Sequence, residues 1–140
     1  MEVLYTTTGS ATGGRDGHAS VDNGSLDVKL TAPKELGGPG GEGTNPEQLF
    51  ACGYSACFLG AMQFVGGQEN IKVPEESEVT ATVSLGKRAD GEGFAIAVDL
   101  AVSLPGVERA EAEKLVEKAH VVCPYSYATK GNIDVSTTLA

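Results

Sequence analysis

The sequence predicts an α+β fold in one domain spanning residues 1–140. Three observations carry this reading. Val79–Leu85 and Phe94–Leu104 alternate apolar and polar residues, and Asp90-Gly91-Glu92-Gly93 lies between them, which describes an antiparallel hairpin. Two segments with helical signals, one opening at Asn45-Pro46 and one running from about Val107 to Val122, stand between groups of strands. A last alternation through Ile133, Val135, Thr137 and Leu139 completes the order ββ(β)–α–ββ–α–β.

The elements follow in order. Val3–Thr8 is rich in Val, Thr and Tyr and predicts a first strand. Gly13-Gly14-Arg15-Asp16-Gly17 interrupts it as a loop or bulge. His18–Asp22 pairs with Leu26–Leu30 across the hairpin signal Asn23-Gly24. Leu36–Gly43 holds five glycines and a proline and predicts a loop. Asn45 is a good N-cap, Pro46 suits the first helical position and Gln48 can reach back as in a capping box. Gly66-Gly67 is expected to stop this helix, giving it a length of roughly 30 Å. Its small residues (Ala51, Gly53, Ser55, Ala56, Gly60, Ala61) permit close approach by another backbone, from this chain or a symmetry mate. The apolar stretch Leu49–Val65 is shorter than the about 20 residues a membrane span needs, so it reads as a core helix. In the second helix Ala112, Leu115, Val116, Ala119 and Val122 form an apolar stripe that Pro124 ends.

A net charge of −9 argues against nucleic acid and anionic membrane as partners, since both ask for a basic face. The segment Met1–Thr6 has no basic start and no long apolar run, so no signal peptide is expected and the predicted location is cytoplasmic. Three cysteines in a reducing compartment point to functional thiols rather than a disulfide scaffold.

Cys52 and Cys57 lie five apart in one helix, about 7.5 Å along its axis and on different faces, which excludes a bridge between them. Any intrachain bridge then involves Cys123; Cys57–Cys123 is the favoured pair, and Cys52 reads as a core residue. Both members of that pair could equally be small core residues, because free cysteine is often buried. A mid-helix thiol in apolar surroundings has a raised pKa and needs a cation to become a nucleophile. Arg15, in its glycine-flanked loop, is the leading candidate, with Glu47 as the carboxylate that would hold it; a solvated loop arginine is the plain alternative. His120 and Cys123 are three apart, but without CxxC or HExxH they make a weak zinc pair, and no metal is expected. No phosphate-binding or nucleophile-elbow motif is present. His18 and His120 read as structural histidines.

Ala11-Thr12-Gly13-Gly14-Arg15-Asp16-Gly17, Thr44-Asn45-Pro46-Glu47-Gln48-Leu49-Phe50 through Gly53-Tyr54-Ser55-Ala56-Cys57-Phe58, and Val122-Cys123-Pro124-Tyr125-Ser126 resemble the organic hydroperoxide resistance proteins, the Ohr branch of the OsmC/Ohr family. Leu26-Asp27-Val28-Lys29-Leu30 and Gly131-Asn132-Ile133-Asp134-Val135 extend the likeness over essentially the whole chain. The resemblance implies antiparallel sheets packed around a long buried central helix in an intertwined homodimer. It also implies a thiol peroxidase that reduces organic hydroperoxides, fatty-acid ones included, to alcohols. Cys57 matches the peroxidatic cysteine, Cys123 the resolving one, and Arg15 and Glu47 the pair that activates the thiol. No cofactor is bound; the implied reductant is dihydrolipoamide on lipoylated proteins. Cys52 and Tyr127 depart from the family pattern, where alanine and asparagine are expected.

Glu47 and Cys57 are ten apart, about 15 Å along a continuous helix. One arginine does not easily serve both, so either the arginine–carboxylate pair and the cysteine of one site come from different chains, or the helix breaks between them. Apolar walls, Phe58 among them, would favour hydroperoxides with organic tails. The rival readings are a redox sensor using the same cysteine pair and a non-catalytic binding domain with buried thiols.

Overall fold

The Asn23-Gly24 signal is realised in the first of two units into which the chain divides, Met1–Leu49 and Phe50–Ala140, in a computed structural model that describes residues 1–140. Strands β1 (Gly9–Thr12), β2 (His18–Val21) and β3 (Asp27–Lys29) form an antiparallel sheet in the order β1-β2-β3. The first strand therefore forms later than Val3–Thr8. The turn at Asn23-Gly24 limits β2 to four residues, and their partners are Gly9 to Thr12. β-propensity without a partner edge makes no strand. Beyond Gly9 the ladder adds only the Asp22 N–H to the Thr8 carbonyl, at 3.0 Å.

Helix α1 (Pro46–Glu69) starts as the sequence predicts. Asn45 Oδ1 accepts the Gln48 N–H at 2.9 Å. The Gln48 side chain does not reach back to the cap; its Oε1 accepts from the Thr44 hydroxyl at 2.8 Å. The helix does not stop at Gly66-Gly67. It continues to Glu69 and ends at Asn70, whose φ of 55° is the left-handed cap, with the Ile71 N–H bonded to the Gly66 carbonyl at 2.9 Å. Gly66 serves packing instead: a Cβ there would lie 2.5 Å from the Ile71 carbonyl oxygen.

In the second unit β4 (Glu78–Lys87) and β5 (Phe94–Ser103) pair antiparallel over their full length, from Glu78↔Ser103 to Lys87↔Phe94. Helix α2 (Arg109–Val122) and a short helix α3 (Pro124–Thr129) follow, then β6 (Val135–Leu139). The sheet order is β4-β5-β6. This sheet is mixed, not wholly antiparallel, because β6 runs parallel to β5, from Val98↔Val135 to Val102↔Leu139. The two helices between them are the crossover a parallel pair requires. Proline at 124 ends α2 as expected, yet it also starts α3, which periodicity over six residues could not reveal.

The core of this unit joins Tyr54, Phe58, Met62 and Val65 of α1 to Val98, Leu100 and Val102 of β5 and to Leu115 and Ala119 of α2. By length and composition α1 could cross a membrane, but this buried face makes it a core helix. Its opposite face carries Cys52, Ala56, Gly60, Gln63 and Gly67, all exposed. Cys52 is thus not a core residue: the helix turn that separates it from Cys57 sends it outward.

Candidate active site

Two constellations arise from the predicted residues. The first lies within residues 1–49. Gly13, at φ 74°, opens a one-turn 3₁₀ helix (Gly14–Asp16) between β1 and β2 that carries Arg15. The turn is tied down at both sides, by Asp16 Oδ1 accepting the Ala32 N–H at 2.9 Å and by the Gly17 carbonyl accepting the Leu30 N–H at 2.8 Å. Arg15 then meets Glu47 in the first turn of α1 through two parallel bonds, Nη1 to Oε2 and Nη2 to Oε1, each 2.7 Å. This fork-to-fork geometry fixes the plane of the guanidinium as well as its position. The hydrogen-bonded guanidinium holds the Glu47 carboxyl below the usual carboxylate range, against a smaller opposing effect of burial. The pair therefore stays ionised at neutral pH and is lost only as acid protonates Glu47. Arg15 is not the solvated loop arginine of the plain reading.

Gly17 makes this loop possible. A Cβ at 17 would stand 1.7 Å from the Thr12 carbonyl oxygen, a backbone atom that cannot step aside alone. Gly17→Ala is expected to lower stability by about 2 kcal/mol or more and to displace Arg15. A thermal melt matching the unsubstituted protein would contradict this account.

The second constellation lies within residues 50–140. Cys57 sits in the middle of α1, flanking the buried stripe, and is half-buried; Cys123 is fully buried. Cys123 has two backbone duties. Its N–H closes α2 on the Ala119 carbonyl at 2.8 Å, and its sulfur caps α3 by accepting the Ser126 N–H at 3.5 Å. At this corner its thiol donates to the Cys57 sulfur, with Sγ to Sγ 3.4 Å. Both thiols are free. A disulfide needs about 2.05 Å between the sulfurs.

Burial pushes the Cys57 thiol up, the Tyr125 N–H hydrogen-bonded to it pulls it down, and the neighbouring Cys123 thiol adds to the rise. The net direction is upward, as expected of a thiol in apolar surroundings without a cation.

Around the sulfurs stand residues that motif reading passed over. Phe50, Tyr54 and Tyr125 form an aromatic cluster with ring centroids 5.6–5.8 Å apart. The Tyr54 hydroxyl lies 2.8 Å from Ser126 Oγ and 3.3 Å from Thr129 Oγ1. His120 Nδ1 is 2.9 Å from Ser126 Oγ, and Nε2 is 2.8 Å from Thr137 Oγ1. Burial lowers the His120 pKa, so the ring is neutral at pH 7, with one nitrogen donating and the other accepting. Both nitrogens of His120 are thus engaged, as the sequence reading of a satisfied histidine expects. His18 pairs with Asp27 on the first sheet. Phe58 is fully buried beneath the His120 ring, centroids 4.6 Å apart, so it belongs to the core and not to a substrate wall. One signal could have found this corner: Cys-Pro followed by a hydroxyl residue is an N-cap and N1 pattern for a second helix.

The model of the OsmC-like protein family matches residues 38–138. The organic hydroperoxide resistance protein of Xanthomonas axonopodis pv. citri is 54% identical over 139 residues, covering 99% of this chain and 96% of the relative. The crystal structure of the organic hydroperoxide resistance protein OhrB of Bacillus subtilis superposes with a TM-score of 0.89 at 44% identity, covering 99% and 100% of the two chains. That of an organic hydroperoxide resistance protein from Legionella pneumophila gives 0.92 at 45% identity, covering 99% of each.

Proposed function

Because the chain belongs to the OsmC/Ohr family, in its organic hydroperoxide resistance branch, we propose that it is a cysteine-based peroxidase that reduces organic hydroperoxides, fatty-acid ones included, to alcohols. The observation that carries this reading is the pair of free thiols, one half-buried and one fully buried, whose sulfurs lie 3.4 Å apart across 66 residues of sequence.

The cycle has three steps. The Cys57 thiolate attacks the distal oxygen of the hydroperoxide; the O–O bond breaks and its electron pair leaves on the alkoxide, which takes a proton to become the alcohol. Cys57 is now a sulfenic acid. The Cys123 sulfur attacks the Cys57 sulfur, the S–O bond breaks, and water leaves. A dithiol of the dihydrolipoamide type, carried on a lipoylated protein, then reduces the Cys57–Cys123 disulfide and is itself oxidised to a disulfide. Arg15 stabilises the thiolate and orients the peroxide, and Glu47 orients Arg15. No bound cofactor takes part.

α1 is unbroken between Glu47 and Cys57, about 15 Å by helical rise. This supports the division of one site between two chains. The proposed assembly is an intertwined homodimer of single-domain subunits over 1–140, located in the cytoplasm.

The test is hydroperoxide consumption by the reduced protein with dihydrolipoamide as electron source. Turnover with tert-butyl or fatty-acid hydroperoxide well above that with hydrogen peroxide is expected. Consumption of no more than one equivalent per subunit would favour the sensor reading instead. With the reductant left out, Cys123→Ser is expected to consume one equivalent of hydroperoxide at the wild-type rate and then stand as a sulfenic acid without a disulfide. Mass spectrometry after dimedone trapping checks this, and disulfide formation in Cys123→Ser through Cys52 would contradict the assignment.

A further inference from the structure

The corner that carries Cys123 is held in an unusual way. Helix α3 has only six residues, too few to be stable by itself. Its buried residues are Ser126 and Thr129, while Tyr125 and Tyr127 are exposed. No fully buried apolar side chain anchors it. Hydrogen bonds do: Ser126 Oγ lies between the Tyr54 hydroxyl and His120 Nδ1, and Thr129 Oγ1 stands near Tyr54 while donating to the Ser126 carbonyl at 3.2 Å. His120 is itself fixed from the other side by Thr137 of β6 and from below by the Phe58 ring. His120 and Ser126 therefore clamp the last turn of α2 to the first turn of α3, and Cys123 is the apex between them. That same first turn supplies the Ser126 N–H to the Cys123 sulfur. Apolar packing is non-directional, whereas a closed polar network selects one arrangement.

We propose that His120 is a positioning residue for disulfide closure: by holding Ser126 it fixes the first turn of α3, and with it the Cys123 sulfur, against Cys57. This deepens the proposed peroxidase reading and rests on it for its biological use. His120 touches neither sulfur. It governs how often the Cys123 sulfur is aligned with the Cys57 S–O bond when water leaves, and not how fast Cys57 takes oxygen from the hydroperoxide. A loosened corner leaves the sulfenic acid standing longer, so a second hydroperoxide converts it to sulfinic acid.

The experiment separates the two steps by single turnover. Reduced full-length protein receives one equivalent of tert-butyl hydroperoxide; peroxide loss reports the first step, and loss of dimedone-trappable sulfenic acid reports closure. In His120→Leu and Ser126→Ala the first step is expected within about twofold of wild type and closure slowed about tenfold or more, since both lose the His120–Ser126 bond and each loses one further bond, to Thr137 or to Tyr54. Their double variant is expected to be slowed by less than the product of the two single effects, because the His120–Ser126 bond is common to both. His120→Asn keeps a polar atom where Nδ1 stands and is expected to close near the wild-type rate; His120→Gln places its polar atom toward Thr137 and is expected to close slowly. A merely structural histidine would make Asn and Gln equivalent. Closure within twofold of wild type in Ser126→Ala, or His120→Asn as slow as His120→Leu, overturns the proposal. A parallel series drives closure with diamide, which accepts the two electrons of the dithiol and becomes the hydrazine. If the protein closes its disulfide with diamide yet consumes no hydroperoxide, the peroxidase reading fails, and the comparison among the His120 variants still decides this one.

Discussion

Cys57→Ser is expected to abolish hydroperoxide consumption, with a loss on the order of a thousandfold or more, as for other essential nucleophiles. The reason is chemical and not structural. Cys57 flanks the buried stripe of α1 at intermediate exposure, so exchanging sulfur for oxygen alters packing little. A serine hydroxyl, however, is hardly ionised at neutral pH without a base beside it, and its oxygen cannot take up the peroxide oxygen as sulfur does. Cys123→Ser differs by leaving the first step intact. Cys52→Ser provides the control: Cys52 is exposed on the other face of α1 and is expected to leave turnover unchanged. The measurement is dithiol-dependent consumption of tert-butyl hydroperoxide, with a thermal melt to show that each variant folds. Retention of a tenth of the activity by Cys57→Ser would end the thiol mechanism.

The second large effect is expected at Arg15. Burial already pushes the Cys57 thiol up, so without an added cation the thiolate is scarce at pH 7. Arg15→Ala is expected to lower the rate about a hundredfold at pH 7, in the range found for removing one preorganised charge-stabilising donor. The sign of the pH dependence follows. Losing a cation raises the Cys57 pKa further, so the rate of the variant continues to climb at pH values where the wild type has levelled, and the deficit narrows as pH rises. A deficit constant with pH would mean that Arg15 acts only on the peroxide. Arg15→Lys is expected to rescue poorly, because one ammonium cannot reproduce the two-point contact with Glu47. Mixing decides how the site is shared. In a heterodimer of a Cys57→Ser chain with an Arg15→Ala chain, a site divided between chains leaves one intact copy and restores activity. A site built from a single chain leaves none.

Much of the fold was legible because its signals are short-range. The hairpin at Asn23-Gly24, the β4–β5 pair and the Asn45-Pro46 start of α1 each depend on a handful of neighbouring residues. The exclusion of a Cys52–Cys57 bridge needed only helical arithmetic. Where expectation and structure part, a long-range contact intervened. Val3–Thr8 has strand composition but no partner strand beyond the one bond at Thr8, since β2 is spent on residues 9–12. Gly66 looked like a helix stop and is a point of close approach for the returning chain. β6 has the alternation of a strand, but alternation carries no direction, and its parallel register beside β5 follows from the crossover through α2 and α3.

The candidate site divides along the same line. Residue identity and spacing by themselves determined which groups could do chemistry: a cysteine within the first helix and another where proline ends the second, an arginine in a glycine-flanked turn, and a carboxylate in the first turn of a capped helix. Tertiary structure alone decided that Arg15 grips Glu47 at two points, that the sulfurs of Cys57 and Cys123 come to 3.4 Å, and that Tyr54, His120 and Ser126 brace the corner between α2 and α3. Backbone preferences and capping act across a few residues and are written locally. Contacts across 66 residues arise from the summed packing of a whole core, and no short stretch of chain encodes them.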